Sequence, residues 1–593
     1  MNAKAPAAPR WDLDRIYPGG VTAPAWRDEL AALNVDLTAL IAQGQALGPA
    51  DGGPAWGAFL EAAAALDERR RQLTAFAWLA ASVAAQDPAC VAAIGEVEAA
   101  ASRAELAWTA PEAALAAADD ASWAALLATP AGAAQADGLR WRRIAAKARP
   151  PAAQQQVVVA LSDAALHAWG RRYSRAAAKV VVELGGERLS HGQAFNRLSD
   201  PDPAVRRAAQ AGITAGWRAV GEDCAEALDQ IIGSRAALAA LAGRAPLDEA
   251  LDHNRLSRPT LDALLAACAA GRPALWRALQ LRARLLGVST VDWADLSAPV
   301  DQVDMDVPWD EAERTVRRCF AAQGEAMGAF AARAFDGGWI EAEDRGGKRH
   351  GAFCIGLPRE RESRVFMTYS GRMTNLVTLA HELGHAYHND VLMGEPAASR
   401  SLPYTLAETA STFAEAVVRG EALDRAAGRP EELGLIDQEL QSAIVMLLNI
   451  PMRFALEQAL FEMKAEGPLS PDRLCAQTEA LQRAAYGPVL GEAHPMFWAE
   501  KLHFYLTRAP FYNFPYAFGY FFSALVFARA REEGPAFAPR YAALLADTGR
   551  CTVEEVAARH LGVDLTDPAA WAPVIADIER LVERYATLVE ARG

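Results

Sequence analysis

Apolar residues recur at helical spacing over most of this 593-residue chain, and that periodicity constrains its fold more than any other feature. Between about residues 22 and 179 the sequence is rich in Ala, Leu, Glu, Gln and Arg, and residues such as Trp56, Phe59 and Ala63 fall on one helix face. Hydrophobic residues make up 52% of the chain, which is enough for a large core. The sequence therefore predicts a mostly α-helical protein larger than one standard domain.

Two stretches interrupt the helical pattern. In residues 180–189, Val and Leu residues flank Gly185-Gly186, which is typical of a tight β-hairpin turn. Residues 351–355 and 364–369 form a second pair of strand-like segments, separated by polar residues around Pro358. A small sheet is therefore expected just before residue 370. It is either a purely structural hairpin or an open edge that pairs with an extended peptide.

A domain boundary is predicted near residues 190–205. The sequence Asp200-Pro201-Asp202-Pro203 follows the hairpin, breaks the chain and is expected to cap a new helix. We therefore predict an N-terminal helical domain at residues 1–195 and a second domain at residues 196–593.

The composition argues against several classes of function. The chain has 59 Lys+Arg against 74 Asp+Glu, a formal net charge of -15, so we expect neither nucleic acid nor an anionic membrane surface as a partner. The N-terminal residues lack the apolar core of a signal peptide, and no apolar run approaches the 18 to 20 or so residues that cross a bilayer. We therefore expect a cytoplasmic protein with no membrane span.

The cysteines indicate free thiols. There are 7 of them, widely spaced and without a Cys-x-x-Cys pair, so the sequence predicts neither a disulfide framework nor a cysteine zinc site.

The strongest chemical signal is His381-Glu382-Leu383-Gly384-His385, a His-Glu-x-x-His motif inside a helical pattern. Positions i and i+4 of a helix share one face, so both imidazoles reach the same point, with Glu382 beside them. This is the arrangement of two zinc ligands and a general base. In the mechanism it predicts, zinc lowers the pKa of a bound water toward about 7, and Glu382 passes the proton from that water to the leaving amine.

A catalytic zinc needs a third protein ligand, and this sequence lacks one at the positions that two common types of zinc site use. A third histidine six residues after His385 would fall at Val391, and a glutamate of the thermolysin or aminopeptidase type would fall at Tyr404 or Thr405.

The remaining acidic candidates are Asp390, Glu395, Glu408 and Glu415. The first two lie too close to the helix end or in a loop, and Glu408 is favoured as the ligand. It is expected just inside a second helix, on one face with Ser411 and Glu415. Glu415 is expected either to accept the free N–H of a zinc-bound imidazole or to face solvent.

His388 follows the motif on nearly the same helix face. We interpret it as a hydrogen-bonded histidine at the helix end, not as a metal ligand.

Several further segments carry a family resemblance. Residues 370–375 lead into the motif, Glu408-Thr409-Ala410-Ser411 follows it, and residues 503–505 and 510–523 lie near the C-terminus. With Trp11-Asp12-Leu13 and the hairpin, they resemble the oligoendopeptidase F branch of the thimet-oligopeptidase family of zinc metallopeptidases over nearly the whole chain.

The resemblance implies two helical lobes flanking a deep substrate channel, a small β-sheet beside the His-Glu-x-x-His helix, and residues 196–593 as the catalytic domain. It implies one Zn²⁺ per chain and cleavage of short unfolded oligopeptides by a zinc-activated water with Glu382 as general base. The metal ligands would be His381, His385 and Glu408. The residues that would contact the substrate and stabilise the oxyanion are His503, Tyr512, Tyr516 and Tyr520.

Two alternatives remain. A zinc carboxypeptidase of a related helical family would use an arginine as a clamp for the substrate carboxylate, with Arg359, Arg361, Arg364 and Arg372 as candidates. A helical scaffold with a structural zinc site would have a fourth protein ligand and no hydrolysis.

Overall fold

The computed structural model of the chain describes residues 8–48, 51, 53–150, 152–300, 306–428 and 430–592. Helices dominate it, as predicted, and two small sheets accompany them. The helices in chain order are α1 Pro24–Gln45, α2 Gly53–Val83, α3 Pro88–Ala107, α4 Thr109–Ala117, α5 Asp120–Leu127, α6 Pro130–Ala134, α7 Ala136–Lys147, α8 Ala152–Ser162, α9 Ala168–Ala177, α10 His191–Asn196, α11 Pro203–Arg218, α12 Gly221–Leu241, α13 Asp248–His253, α14 Arg258–Leu286, α15 Trp309–Gln323, α16 Glu325–Asp336, α17 Met373–Leu392, α18 Tyr404–Ala407, α19 Thr409–Ala426, α20 Glu431–Ile444, α21 Ile450–Glu466, α22 Pro471–Tyr486, α23 Phe497–Glu500, α24 Phe514–Glu533, α25 Ala538–Asp547, α26 Val553–Leu561 and α27 Ala572–Glu590. The strands are β1 Val181–Leu184, β2 Glu187–Ser190, β3 Ile340–Glu341, β4 Phe353–Leu357 and β5 Glu362–Phe366.

The chain divides into two compact units, each built from three segments. The first unit comprises Met1–Ala148, Asp304–Glu421 and Val526–Gly562. The second comprises Arg149–Val303, Ala422–Leu525 and Val563–Gly593.

This division differs from the predicted boundary at residue 195. In the first unit, Ala75 and Leu79 of α2 share a buried cluster with Leu357 and Phe366, close to 290 positions later in the sequence. Hydrophobic burial joins surfaces irrespective of their order along the chain, whereas Gly and Pro signals mark only local breaks.

The first unit contains a sheet of three strands in the order β3-β5-β4. The central strand β5 is parallel to β3 and antiparallel to β4, with Phe353 opposite Phe366. The predicted strand pair before residue 370 is therefore present, although β4 begins and ends later than expected and β5 earlier. The connecting turn takes only residues 358–361, where Arg361 has a φ of 54°, so the polar residues after it are drawn into β5.

One side of β4 is an outer edge of this sheet. In the described part of the chain, no backbone hydrogen bond joins β4 to anything except β5. The N–H and C=O groups along that edge are therefore available to pair with another extended chain.

The second unit contains the predicted hairpin. β1 and β2 pair antiparallel, and Gly185 and Gly186 connect them with φ values of 60° and 84°. A two-residue turn with both φ values positive matches the twist of the flanking strands, which is why Gly-Gly is found there. The predicted helix start is also confirmed, because Asp202 accepts a hydrogen bond from the N–H of Ala204 at the start of α11.

One helical stretch among the described residues, Glu431–Glu466, is long and apolar enough to meet the criteria for a membrane span. It belongs to the second unit, and 67% of its most apolar window is buried inside the protein. Buried core helices of soluble proteins meet the same criteria. All of the cysteines are free thiols, as predicted.

Candidate metal centre

The helix α17 places the two motif histidines side by side. Most of its residues from Leu376 to His388 are buried, because the helix packs against β4 and β5 in the first unit. His381 and His385 are half-buried, and their ring centroids lie 4.8 Å apart with the planes at 85°. Spacing of i and i+4 on a regular helix accounts for this convergence.

Glu408 lies at the junction between α18 and α19, whereas the sequence predicted it within a helix. Its backbone (φ -91°, ψ 4°) ends one helical piece before the next begins. Its Oε2 lies 3.4 Å from Nε2 of His381 and 3.3 Å from Nε2 of His385. The Ser411 hydroxyl donates a hydrogen bond of 2.7 Å to the same oxygen, which fixes the carboxylate in this orientation.

The three predicted ligands therefore form one group. One donor atom from each of His381, His385 and Glu408 lies within 4.8 Å of the other two. Two imidazole nitrogens and one carboxylate oxygen are the donor set of many catalytic zinc sites.

The close approach of the two ligand-bearing segments depends on Gly384. A Cβ added there would lie 2.5 Å from the carbonyl oxygen of Ala410 and 2.6 Å from Cα of Ser411. Real Cβ atoms do not approach other atoms so closely, so α17 and the start of α19 can touch here only because residue 384 is glycine.

Glu415 orients one of the two histidines. Its Oε1 lies 2.6 Å from Nδ1 of His381, which leaves Nε2 of that ring directed at Glu408. Arg419, one helical turn later, donates a 2.9 Å hydrogen bond to the other oxygen of Glu415. Of the two predictions for Glu415, the structure shows the contact with the imidazole, and a carboxylate in this position fixes the tautomer of a metal-binding histidine.

The charges of the group are strongly coupled. Burial opposes ionisation of Glu408, but its hydrogen bonds to His385 and Ser411 outweigh burial and lower its pKa to about 2. For His381, burial also opposes the charged form, and the hydrogen bond and charge of Glu415 outweigh it, so the pKa of this imidazole is raised. The carboxylates of Glu408 and Glu415 are thus held ionised and aligned with the imidazoles.

Glu382 sits beside the ligands in a different environment. It is buried, and its Oε2 makes no hydrogen bond with any described residue. Burial raises the pKa of its carboxyl group above the usual range, although the neighbouring histidines counteract this effect in part. A buried carboxylate oxygen without a protein partner beside a set of N, N and O donors fits a site built for a metal ion and a water or substrate.

The other candidate residues of the first unit lie in separate interactions. Nε2 of His388 is 2.8 Å from the Thr548 hydroxyl, and burial lowers the pKa of this imidazole to about 3, as expected for a hydrogen-bonded core histidine. Asp390 pairs with Arg333, and Glu395 pairs with Arg550.

The predicted substrate-contacting residues lie in the second unit. His503 is part of a 3₁₀ turn, and its ring lies 5.7 Å from that of Tyr512 and 6.0 Å from that of Tyr516. Tyr520 follows Tyr516 by one turn of α24. Burial and the charges of two neighbouring cations lower the pKa of His503 to about 4, so its imidazole is neutral near pH 7. The roles of these four residues stay predictions.

Two of the arginine clamps considered for a carboxypeptidase are already paired with acids. Arg359 forms an ion pair with Glu29, and Arg364 is buried and forms one with Glu362. Arg361 instead donates a hydrogen bond to the carbonyl of Met393.

Arg419 is the site residue that the sequence analysis missed. Its spacing of four residues from Glu415 on a helix was the available signal. The signal was weak because exposed pairs with this spacing are common on helices.

We expect Gly384→Ala to disrupt the metal centre. The added methyl must separate α17 from α19, and overpacking of this kind costs about 1 to 3 kcal/mol of unfolding free energy. Zinc content after dialysis and thermal unfolding measure the two effects. The matched control is Gly420→Ala in α19, where the new Cβ would meet only Cζ of Phe527 at an ordinary 3.8 Å. Equal zinc content in Gly384→Ala and wild type would contradict the packing argument.

Removing the Glu415 carboxylate is expected to weaken metal binding while leaving the fold intact. Loss of such an orienting partner usually lowers metal affinity about 10- to 100-fold. Competition with a chromophoric chelator would compare Glu415→Ala, Glu415→Gln and the control Glu421→Ala, which removes a partly exposed carboxylate that pairs with Arg318 from the same helix. The orienting role predicts a loss in the order Ala, Gln, control, and unchanged affinity in Glu415→Ala would exclude it.

A protein-family model matches the part of the chain that contains the candidate metal centre. Residues 323–574 match the model of peptidase family M3. Oligoendopeptidase F (chromosomal) of Lactococcus lactis subsp. cremoris is 26% identical over 348 residues, which are 58% of this chain and 57% of that protein. The match thus spans little more than half of that relative's length.

The fold is shared with solved structures. A crystal structure of a protein from Chlamydophila abortus has a TM-score of 0.84 at 18% identity and covers 98% of both chains. Oligoendopeptidase-F from Enterococcus faecium has a TM-score of 0.70 at 18% identity, covering 96% of this chain and 99% of that one. The resemblance inferred from the sequence, to the oligoendopeptidase F branch of peptidase family M3, is confirmed by the family match over residues 323–574, by the curated relative and by the shared fold.

Proposed function

We propose that this chain is a zinc-dependent endopeptidase that hydrolyses short unfolded oligopeptides. The observation that carries the proposal is the convergence of His381, His385 and Glu408 beside the buried, unpartnered carboxylate oxygen of Glu382. The family M3 match and the oligoendopeptidase F name of its relatives support a peptidase that acts on oligopeptides.

The two histidines and Glu408 would hold one zinc ion per chain. When bound, such an ion supplies Lewis acidity to a substrate carbonyl and to an attacking water. Three protein donors, without a fourth in the described group, suit a catalytic site that keeps a position for water or substrate.

Glu382 is assigned the role of general base. Its carboxylate takes a proton from the attacking water and delivers it to the amine nitrogen that leaves when the peptide bond breaks. Burial supports this role, because it raises the pKa of the carboxyl group toward the pH at which the enzyme would work. Glu415 and Arg419 hold the His381 ring in place during the reaction.

His503 and the three tyrosines are assigned to substrate contact and oxyanion stabilisation, as the family resemblance implies. A neutral imidazole and phenol O–H groups are suitable donors to a developing oxyanion. The mutual packing of the His503, Tyr512 and Tyr516 rings supports a shared role for this segment.

The outer edge of β4 is assigned to the main chain of the substrate. Pairing along a strand edge uses backbone hydrogen bonds, so it holds peptides extended with weak dependence on their side chains. In folded proteins most backbone groups are already hydrogen-bonded, so few segments can pair with such an edge. The proposal therefore includes selection for short unfolded peptides within the channel that the resemblance implies.

The decisive variant is Glu382→Gln, which removes the base and keeps the shape of the side chain. We expect it to retain the zinc content of the wild type and to lose about 10²- to 10⁴-fold in kcat. The assay is cleavage of an internally quenched peptide of ten residues or so, with bound metal quantified. Asp390→Asn, on the same helix but paired with Arg333, is the control and should retain wild-type activity.

The alternatives give different results in the same assay. A carboxypeptidase would not cleave a substrate whose C-terminus is blocked by the quencher. A structural zinc site would give a wild-type protein that holds zinc and cleaves nothing. Either result would overturn the proposed activity.

A further inference from the structure

A cleft of the first unit lies along the outer edge of β4 and beyond the second motif histidine. It has a volume of about 260 Å³, and its walls come from α2 and from the C-terminal half of α17, with Ile355 and Gly356 of β4 between them. Asn389 of α17 and Trp78 of α2 both line it. We call it the arginine cleft, after Arg70, Arg71 and Arg400 in its lining.

Successive side chains of β4 face opposite sides of the sheet, and this explains why the cleft follows the strand edge. Phe353 and Ile355 pack on the side of α2, against the cluster that contains Trp11 and Ala75. The next residue along, Cys354, faces α17 and accepts a weak hydrogen bond from Asn389. With one helix on each face of the sheet, the edge itself forms the floor of the cleft.

The cleft continues the line of the metal-binding residues. Asn389 follows His381 and His385 at successive intervals of four residues on α17, so the three lie along one stripe of the helix. At 1.5 Å per residue, Asn389 is about 6 Å beyond His385 and about 12 Å beyond His381. An extended peptide covers that length in about two to four residues.

The lining of the cleft holds three arginines and two acids, Asp67 and Glu68, so its positive groups outnumber its negative ones. Arg70 and Arg71 share one carboxylate, that of Asp67. Arg400 donates hydrogen bonds to the carbonyl oxygens of Glu395 and Met393 and makes a weak contact with the Met393 sulfur, and no ion pair with an acid is found for it among the described residues. Arg361, just outside the cleft, donates to that same Met393 carbonyl.

The positive charge of these arginines is compensated only in part by the acids nearby. Burial, together with the like charges of Arg71 and Arg361, lowers the pKa of Arg400 below its usual value, although Glu68 and Glu395 counteract this effect in part. In a chain with a formal net charge of -15, a cleft lined by more arginines than acids departs from the overall charge balance. The Thr74 hydroxyl, which also lines the cleft, is buried and has no hydrogen-bond partner among the described residues. Donors without acceptors in a concave site favour an anionic group.

We propose that the arginine cleft binds a carboxylate of the peptide substrate, two to four residues or so from the bond that is cut, with Arg400 and Arg71 as its principal partners. The inference rests on the proposed peptidase function and adds a preference for acidic peptides to it. The carboxylate comes from a Glu or Asp side chain or from the C-terminus of a short peptide. Both present the same planar group to a guanidinium.

The test uses pairs of internally quenched peptides that differ only by Glu or Gln at one position, scanned along both sides of the cleavage site. We expect kcat/KM to be about tenfold higher for Glu than for Gln at one position, and the ratio to fall toward one in Arg400→Gln and in Arg71→Gln. Each ratio is internal to one variant, so partial loss of folded protein cancels. Arg69→Gln is the control, because Arg69 lies on the same helix and pairs with Asp36. It should keep the wild-type ratio.

Three results overturn the inference: no Glu preference at any position, a preference that survives in both cleft variants, or an equal loss in Arg69→Gln. Neutral peptides with free or amidated C-termini identify the source of the carboxylate. If only the free C-terminus gives the advantage, the group is the terminal carboxylate.

A binding measurement tests this inference independently of the proposed activity. Fluorescence anisotropy with Glu382→Gln protein measures affinity for labelled Glu and Gln peptides without turnover. Tighter binding of the Glu peptide, lost on adding Arg400→Gln, supports the cleft even if wild-type protein cleaves nothing. Equal binding of both peptides contradicts it even if the protein is an active peptidase.

Discussion

The contact between Gly384 and the backbone at Ala410 and Ser411 is the constraint on which the metal centre depends. Glu408 reaches the histidines only because its segment lies against α17 with no side chain between them. The helix provides two donors by its own periodicity, but the third comes from a separate segment and needs a tertiary contact. The interruption between α18 and α19 then turns the Glu408 carboxylate toward the histidines.

The carboxylates near this contact are each balanced by neighbouring groups. Glu408 and Glu415 each contact His381 from one side, and Arg419 compensates the outer carboxylate. Buried ionised groups are costly unless each has a partner, and here each carboxylate has an imidazole and a further hydrogen-bond donor. Glu382 is the exception, since one of its oxygens is buried without a partner. An unsatisfied polar atom of this kind is expected where a substrate or water takes part in chemistry.

Local sequence signals predicted the parts of the structure that depend on local physics. Gly185-Gly186 predicted the hairpin because its φ values need glycine, Asp202 predicted a helix start because its side chain caps the first turn, and the spacing of His381 and His385 predicted their shared face. The choice of Glu408 also agrees with the geometry, although its place between two helices does not. The unit borders and the arginine cleft could not be predicted from local patterns. Both depend on contacts between segments far apart in the sequence. Ala75 packs with Leu357 in one cluster, and Arg71 and Arg400 line one cleft. No periodic pattern in the sequence predicts such contacts.

The proposed metal centre is a zinc ion held by two imidazoles and one carboxylate, with a position left for water. X-ray absorption at the zinc edge of the loaded wild-type protein tests this most directly. We expect two imidazole nitrogens at about 2.0 to 2.1 Å and oxygen ligands for the remainder, with one imidazole lost in His381→Ala. A sulfur ligand, four protein donors, or a spectrum unchanged by that substitution would contradict it.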